Sequence, residues 1–159
     1  MPQGILTGKM IKKAINLAKP SIFAILNDPK SVWRPKYVAI NIAAPGLMTR
    51  YKTDIDAETK SWDPEWPKKK QFALIAEKKT DLSEREQAST REIIAMTPWL
   101  VQKGEYLYPG GVYCEDIIVS VSGAKGDTDE AIANIILAMI VFLSYQETTL
   151  RKEENRMIV

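Results

Sequence analysis

The chain has 159 residues, 45% of them hydrophobic and 26% charged, with a net charge of +2; this fits one globular domain over residues 1–159 and argues against a nucleic-acid binder, which would carry a clustered basic face. It contains no histidine and one cysteine. That excludes an internal disulfide and removes the commonest general base and metal ligand, so any chemistry must run on carboxylates, lysines, tyrosines, hydroxyls or the lone thiol.

Thr7 caps a first helix in which Met10, Ile11, Ala14, Ile15 and Ala18 share one face, and Pro20 ends or kinks it. Residues 21–26 are apolar and read either as a helical piece or as a buried extended stretch, closed by an Asn27-Asp28-Pro29 turn. Residues 36–43 alternate, with Val38, Ile40 and Ile42 on one side, which predicts a strand; Ala44-Pro45-Gly46 turns it into a second, more polar strand over 47–53. Residues 54–67 read as a polar loop whose Trp62 and Trp66 either cover a pocket, meet a partner or pin the loop to its own domain. Residues 68–79 read as a helix with Phe72, Ile75 and Ala76 inward. Ser83 with Glu86 forms a capping box for a separate helix that ends before Pro98. Residues 99–108 read as short extended structure broken at Gly104.

The stretch 108–133 reads as a Pro-Gly-Gly turn, one buried strand over 112–122 with Ile117, Val119 and Val121 on one face, and a loop handing the chain to a last helix. Asp127 with Glu130 caps that helix. On such a strand Glu115 and Asp116 point to opposite faces, one of them inward. The helix is apolar nearly all round in its first half, which suggests a subunit interface; the run 131–143 is too short to span a bilayer. Helices segregated from an antiparallel sheet indicate an α+β fold.

No phosphate loop, dinucleotide fingerprint or metal-ligand spacing is present. Cys114 reads as a nucleophile, a ligand or a small buried hydrophobe, and Tyr106, Tyr108 and Tyr113 as a cluster around the turn. The lone cysteine, the lack of a signal-peptide core in the opening residues and the absence of a lipidation or retrieval signal at the end give the expectation of a cytoplasmic protein.

The run Tyr-Pro-Gly-Gly-Val at 108–112, with Val-Ser-Gly at 121–123 and Asp-Glu-Ala-Ile-Ala at 129–133, resembles the GlcG/HbpS family of haem-binding and glycolate-operon-associated proteins. Residues 37–47 are similar to the hairpin of that family, and its middle-helix lysine best matches Lys78. The resemblance implies a profilin-like α+β domain with a central antiparallel sheet, assembled as dimers or larger oligomers, with a ligand pocket beside the glycine turn. It also brings in haem as a cofactor. Without histidine, histidine-ligated haem is excluded here, and a tetrapyrrole would rely on Tyr, Cys or Lys, or on stacking alone. Cys114-Glu115-Asp116 stands where family members place a hairpin between the glycine turn and the final strand.

The resulting expectation is a small-ligand-binding protein for a tetrapyrrole or small organic acid, with Tyr108, Pro109, Gly110, Gly111, Cys114, Ser122 and Gly123 around the ligand and no metal site. The alternative is a cofactor-independent isomerase, cyclase or lyase, with Asp116 or Glu115 as its acid-base carboxylate and Lys78 or Tyr113 as partner. Expected partners are a small molecule and further copies of the chain, with neither nucleic acid nor membrane.

Overall fold

The computed structural model describes residues 6–32, 36–57, 67–105 and 108–157. Trp62, Trp66 and Tyr106 lie outside them.

The Thr7 hydroxyl accepts the Met10 N–H at 3.2 Å and starts α1 (Gly8–Leu26), which buries Ile11, Ala14, Ile15, Ala18, Ile22 and Leu26 along one stripe. Pro20 therefore does not end the helix, and residues 21–26 belong to it. The ring removes one backbone hydrogen bond on the exposed side, while the apolar stripe continues on both sides of it.

Strands β1 (Tyr37–Ala43), β2 (Tyr51–Asp56), β3 (Gly111–Cys114) and β4 (Ile117–Ser122) form one antiparallel sheet in the order β2-β1-β4-β3. Its alternation sets two unlike faces. Val38, Ile40 and Ile42 of β1 and Ile117, Val119 and Val121 of β4 join α1 and α4 (Gly126–Met157) in the main apolar core. The other face presents Tyr37, Ala39 and Asn41 beside Ile118, Ser120 and Ser122, and α2 (Pro67–Glu86) lies across it. This is the α+β architecture expected from the order of elements.

Residues 112–122 are two strands, not one. Glu115 and Asp116 adopt left-handed conformations, φ 49° and 67°, and make the two-residue turn of a tight hairpin. Both are exposed at its tip, so neither carboxylate is directed inward. A straight strand would have driven one charge into the sheet, where every residue of β4 is buried. Since a side chain in the left-handed region costs about 1 kcal/mol, Asp116→Gly should raise the urea midpoint by a corresponding amount with an unchanged slope. A lowered midpoint would show that the 2.7 Å bond from the Tyr113 hydroxyl to Asp116 outweighs the turn.

α2 is one continuous helix through Glu86, and Ser83 is a fully buried interior residue, not a cap. The separate helix is α3 (Thr90–Met96), which follows Ser89 and stops before Pro98 as expected. Pro98–Leu100 is a 3₁₀ turn where extended chain was expected. Arg85 fastens this region to α2 through Glu105 at 2.7 Å and the Leu100 carbonyl at 2.9 Å.

α4 begins at Gly126, so Asp127 and Glu130 lie within its opening turns and do not form its cap. They bind Arg91 of α3 at 2.6 and 2.8 Å. By length and composition alone α4 is long enough, and contains a stretch apolar enough, to cross a bilayer, which the run 131–143 did not suggest. In this fold Ile132, Ala133, Ile136, Ile140 and Leu143 are buried in the main core.

Candidate ligand-binding site

The site grows out of the side of α2 that faces the sheet. Ala76, Lys79, Thr80 and Ser83 are buried at helical spacing, over strands whose facing residues, Ile118 apart, are small or polar. Thr80 donates to the Ser120 hydroxyl at 2.9 Å. Lys79 Nζ donates to the Val121 carbonyl at 2.7 Å and to Asp129 Oδ2 at 3.4 Å. The other carboxylate oxygen, Oδ1, accepts the Ala124 N–H at 2.9 Å, so Asp129 reaches back over the start of α4. Lys79 is 2% and Asp129 3% exposed.

Burial disfavours the charge on both partners. It pulls the Lys79 ammonium below the usual lysine range against the opposing pull of Asp129. It pushes the Asp129 carboxyl up to about 7, countered by Lys79 and by the Ala124 and Gly123 N–H groups. An ammonium has three protons to donate, and among the described residues Lys79 finds two acceptors.

The glycine turn permits this arrangement. Gly110 has φ +134°, and a Cβ on it would stand 2.5 Å from Lys79 Nζ and 2.7 Å from the Val121 carbonyl oxygen. The chain thus passes over the buried ammonium only because the side chain is missing. Beyond it, Gly111 N–H donates to Thr90 Oγ1 at 3.0 Å and Tyr113 N–H to Ser89 Oγ at 3.0 Å, so the start of α3 covers the free edge of β3. At the other wall, a Cβ on Gly123 would collide with the Tyr37 carbonyl oxygen.

Above the ion pair opens a cleft of about 370 Å³. Phe72 and Ile75 of α2 and Tyr108 supply its apolar walls, residues 122–126 form its rim, and Lys79 and Asp129 its floor. Of the residues expected around a ligand, Tyr108, Ser122 and Gly123 line this cleft, and Gly110 backs it against Lys79. Pro109 packs on Gly126, 3.1 Å from where a Cβ would be. Gly111 sits one step away under Thr90. Cys114 is half-buried at the far end of β3 against the main core and is not on the cleft wall.

Of the residues expected to carry catalysis, Tyr113 and Asp116 are brought together, hydrogen-bonded at 2.7 Å, while Lys78 and Glu115 stand apart from that pair. Lys78 is partly exposed, 3.9 Å from Asp81; its neighbour Lys79 is the lysine that turns inward. Tyr113 and Asp116 line a second cleft of about 370 Å³ with Arg50, Glu84 and Gln87. There Arg50 is already engaged by Asp81 at 2.6 Å and Glu84 at 3.4 Å, and Glu84 is 59% exposed, so this cleft holds no buried charge. Glu115 lines neither cleft.

Haem does not suit the first cleft. Among the described residues that line it, the candidate axial donors are Tyr108, which is 62% exposed, Lys125, whose Nζ donates to the Lys30 carbonyl, and Lys79, whose ammonium is engaged with Asp129 and Val121. The volume lies at the small end of the range for ligand sites.

No family model matches the chain, and no curated protein matches it in sequence. Solved structures do. The Klebsiella pneumoniae protein ORFY, assigned to DUF336, superposes with TM-score 0.55 at 16% identity, covering 86% of this chain and 90% of that one. The Ybr137w protein gives TM-score 0.51 at 18% identity, covering 91% of this chain and 82% of that one. A PduOC:heme complex gives TM-score 0.47 at 13% identity over 80% and 91% of the two chains, too low an overlap to carry an argument. The chain shares the fold of ORFY and Ybr137w, a fold consistent with the GlcG/HbpS-like resemblance of residues 108–133.

Proposed function

We propose that the chain is a small-ligand-binding protein of GlcG/HbpS type, and that its ligand is a small organic acid held in the cleft beside the Pro-Gly-Gly turn. One observation carries this reading: an ammonium that is 2% exposed, with an acceptor still to find, on the floor of a cleft with apolar walls. Phe72, Ile75 and Tyr108 offer surface to an apolar body, and Lys79 offers charge to one oxygen-bearing end. The exposed Phe142, Tyr145 and Leu150 on α4 support self-association, which sedimentation equilibrium of the full chain would register as a mass above the monomer.

Thermal-shift titration with benzoate tests the reading, with benzamide as the uncharged control. A ligand that binds only the folded state stabilises it by about 2.7 kcal/mol at 100 times its Kd. Benzoate should raise Tm in a saturable way, benzamide should not, and Lys79→Met, checked for folding by circular dichroism, should lose the response. No shift with benzoate, or saturable haem binding with a Soret change, would contradict it.

A cofactor-independent acid-base enzyme is the second reading. The closeness of an amine and a carboxyl pushed up to about 7 favours it, because such a pair exchanges a proton readily near neutrality. The reacting groups would then be Lys79 and Asp129, in place of Lys78, Tyr113, Glu115 and Asp116.

A further inference from the structure

Resting on the organic-acid reading of the cleft, we propose that the ligand binds as a carboxylic acid together with one proton, the proton being shared between the ligand carboxyl group and Asp129. The argument begins with charge. The floor of the cleft holds one ammonium and one carboxylate 3.4 Å apart, each almost wholly removed from water. An anionic ligand reaching the remaining donor of Lys79 would place two carboxylates around one ammonium. Two carboxylates in one dry site do not both stay ionised; one takes up a proton and donates it to the other.

Among the described residues no second cation stands within ion-pair distance of Asp129. From the loop before α4, Lys125 lines the cleft, but its Nζ donates to the Lys30 carbonyl at 2.9 Å. On the helix of Asp129, the neighbouring Asp127 and Glu130 are turned to Arg91 of α3. From β1 the Tyr37 hydroxyl is given to Asp54 at 3.0 Å, and β4 supplies only the Val121 carbonyl and Ser122. Tyr108 adds a phenol at the wall. Lys79 from α2 is thus the cation that faces Asp129 directly, and the balance must be restored by a proton. The raised affinity of Asp129 for a proton in the empty cleft acts in the same direction.

The ligand class follows. A compact carboxylic acid with an apolar or aromatic body satisfies both the walls and the floor. A dianion would bring a further charge for which the floor has no partner.

Isothermal titration of the full chain with benzoate, in two buffers of different ionisation enthalpy, counts the protons taken up. At roughly pH 8 we expect about one proton per benzoate, and affinity weakening about tenfold per pH unit above neutrality. Asp129→Asn keeps an oxygen for the Ala124 N–H, and it should bind benzoate with no proton uptake and no such pH dependence. Binding whose heat is the same in both buffers and whose affinity is flat with pH would overturn the proposal alone. Absence of benzoate binding at every pH would overturn it together with the organic-acid reading. The wild-type measurement stands even if the variant fails to fold.

Discussion

Gly110→Ala should destabilise the protein by on the order of 3–5 kcal/mol, as overpacking and an unfavourable backbone conformation act together at one residue. The methyl carbon would meet Lys79 Nζ at 2.5 Å and the Val121 carbonyl oxygen at 2.7 Å. The first could swing aside only by leaving Asp129, and the second is main chain inside the sheet. Gly104 is the natural comparison. It too has a positive φ, +89°, but a Cβ there meets nothing within 4 Å, so Gly104→Ala should cost only about 1 kcal/mol. Urea unfolding of both variants measures the difference. Equal losses would mean that the turn does not press on the buried pair.

The second large effect is one of pH. The Asp129 carboxyl is raised from 3.8 to about 7 in the folded chain. Between those values the folded state keeps a proton that the unfolded state has released, so its contribution to stability is fully present below about pH 4 and is lost as pH rises through about 7. Lys79, held below 10.5, has the opposite sign and adds stability as pH rises toward 10.5. Asp129→Asn removes the first term. The stability of the variant minus that of the wild type should therefore climb by about 2–4 kcal/mol from pH 4 to pH 7. Taking the difference cancels other carboxylates, such as Glu105, which Arg85 holds below its usual range. A flat difference would show Asp129 ionised throughout that interval.

Much of the fold was legible because apolar residues recur at the right period. Ile11, Ala14, Ile15 and Ala18 announce α1, and Val38, Ile40 and Ile42 announce the inner face of β1; all of them are buried. The failures came where the chain departs from that signal. Pro20 left open whether the helix stops or only kinks there and whether residues 21–26 are helical; the stripe that resumes at Ile22 and Leu26 decides for helix and outweighs one missing hydrogen bond. Glu115-Asp116 carries no glycine, so nothing marked it as a tight turn, although two adjacent charges inside an apolar run were a hint that the chain must leave the sheet there.

The site was half legible for a similar reason. Pro109, Gly110, Gly111 and Gly123 stand out as residues chosen for backbone shape; of these Gly123 lines the cleft beside α2 and Gly110 backs it against Lys79. Lys79 and Asp129 were missed. The signal for Lys79 is the spacing 76, 79, 80, 83, which continues one face of α2 from Ala76, but three of its four members are polar and a search for apolar periodicity passes over them. The same polarity made Ser83 look like a cap at the start of a new helix. Lys78 and Lys79 differ by a turn of 100° about the helix axis, and only the stripe decides which of them is buried.

Amide NMR of the isotope-labelled chain titrated with benzoate locates the ligand. Binding at the floor of the cleft should move the signals of Gly123, Ala124, Lys125 and Gly126 together along one saturation curve, and leave Gln87, Tyr113 and Asp116 in place. Shifts confined to that second group, or none at all, would contradict a ligand site built on Lys79 and Asp129.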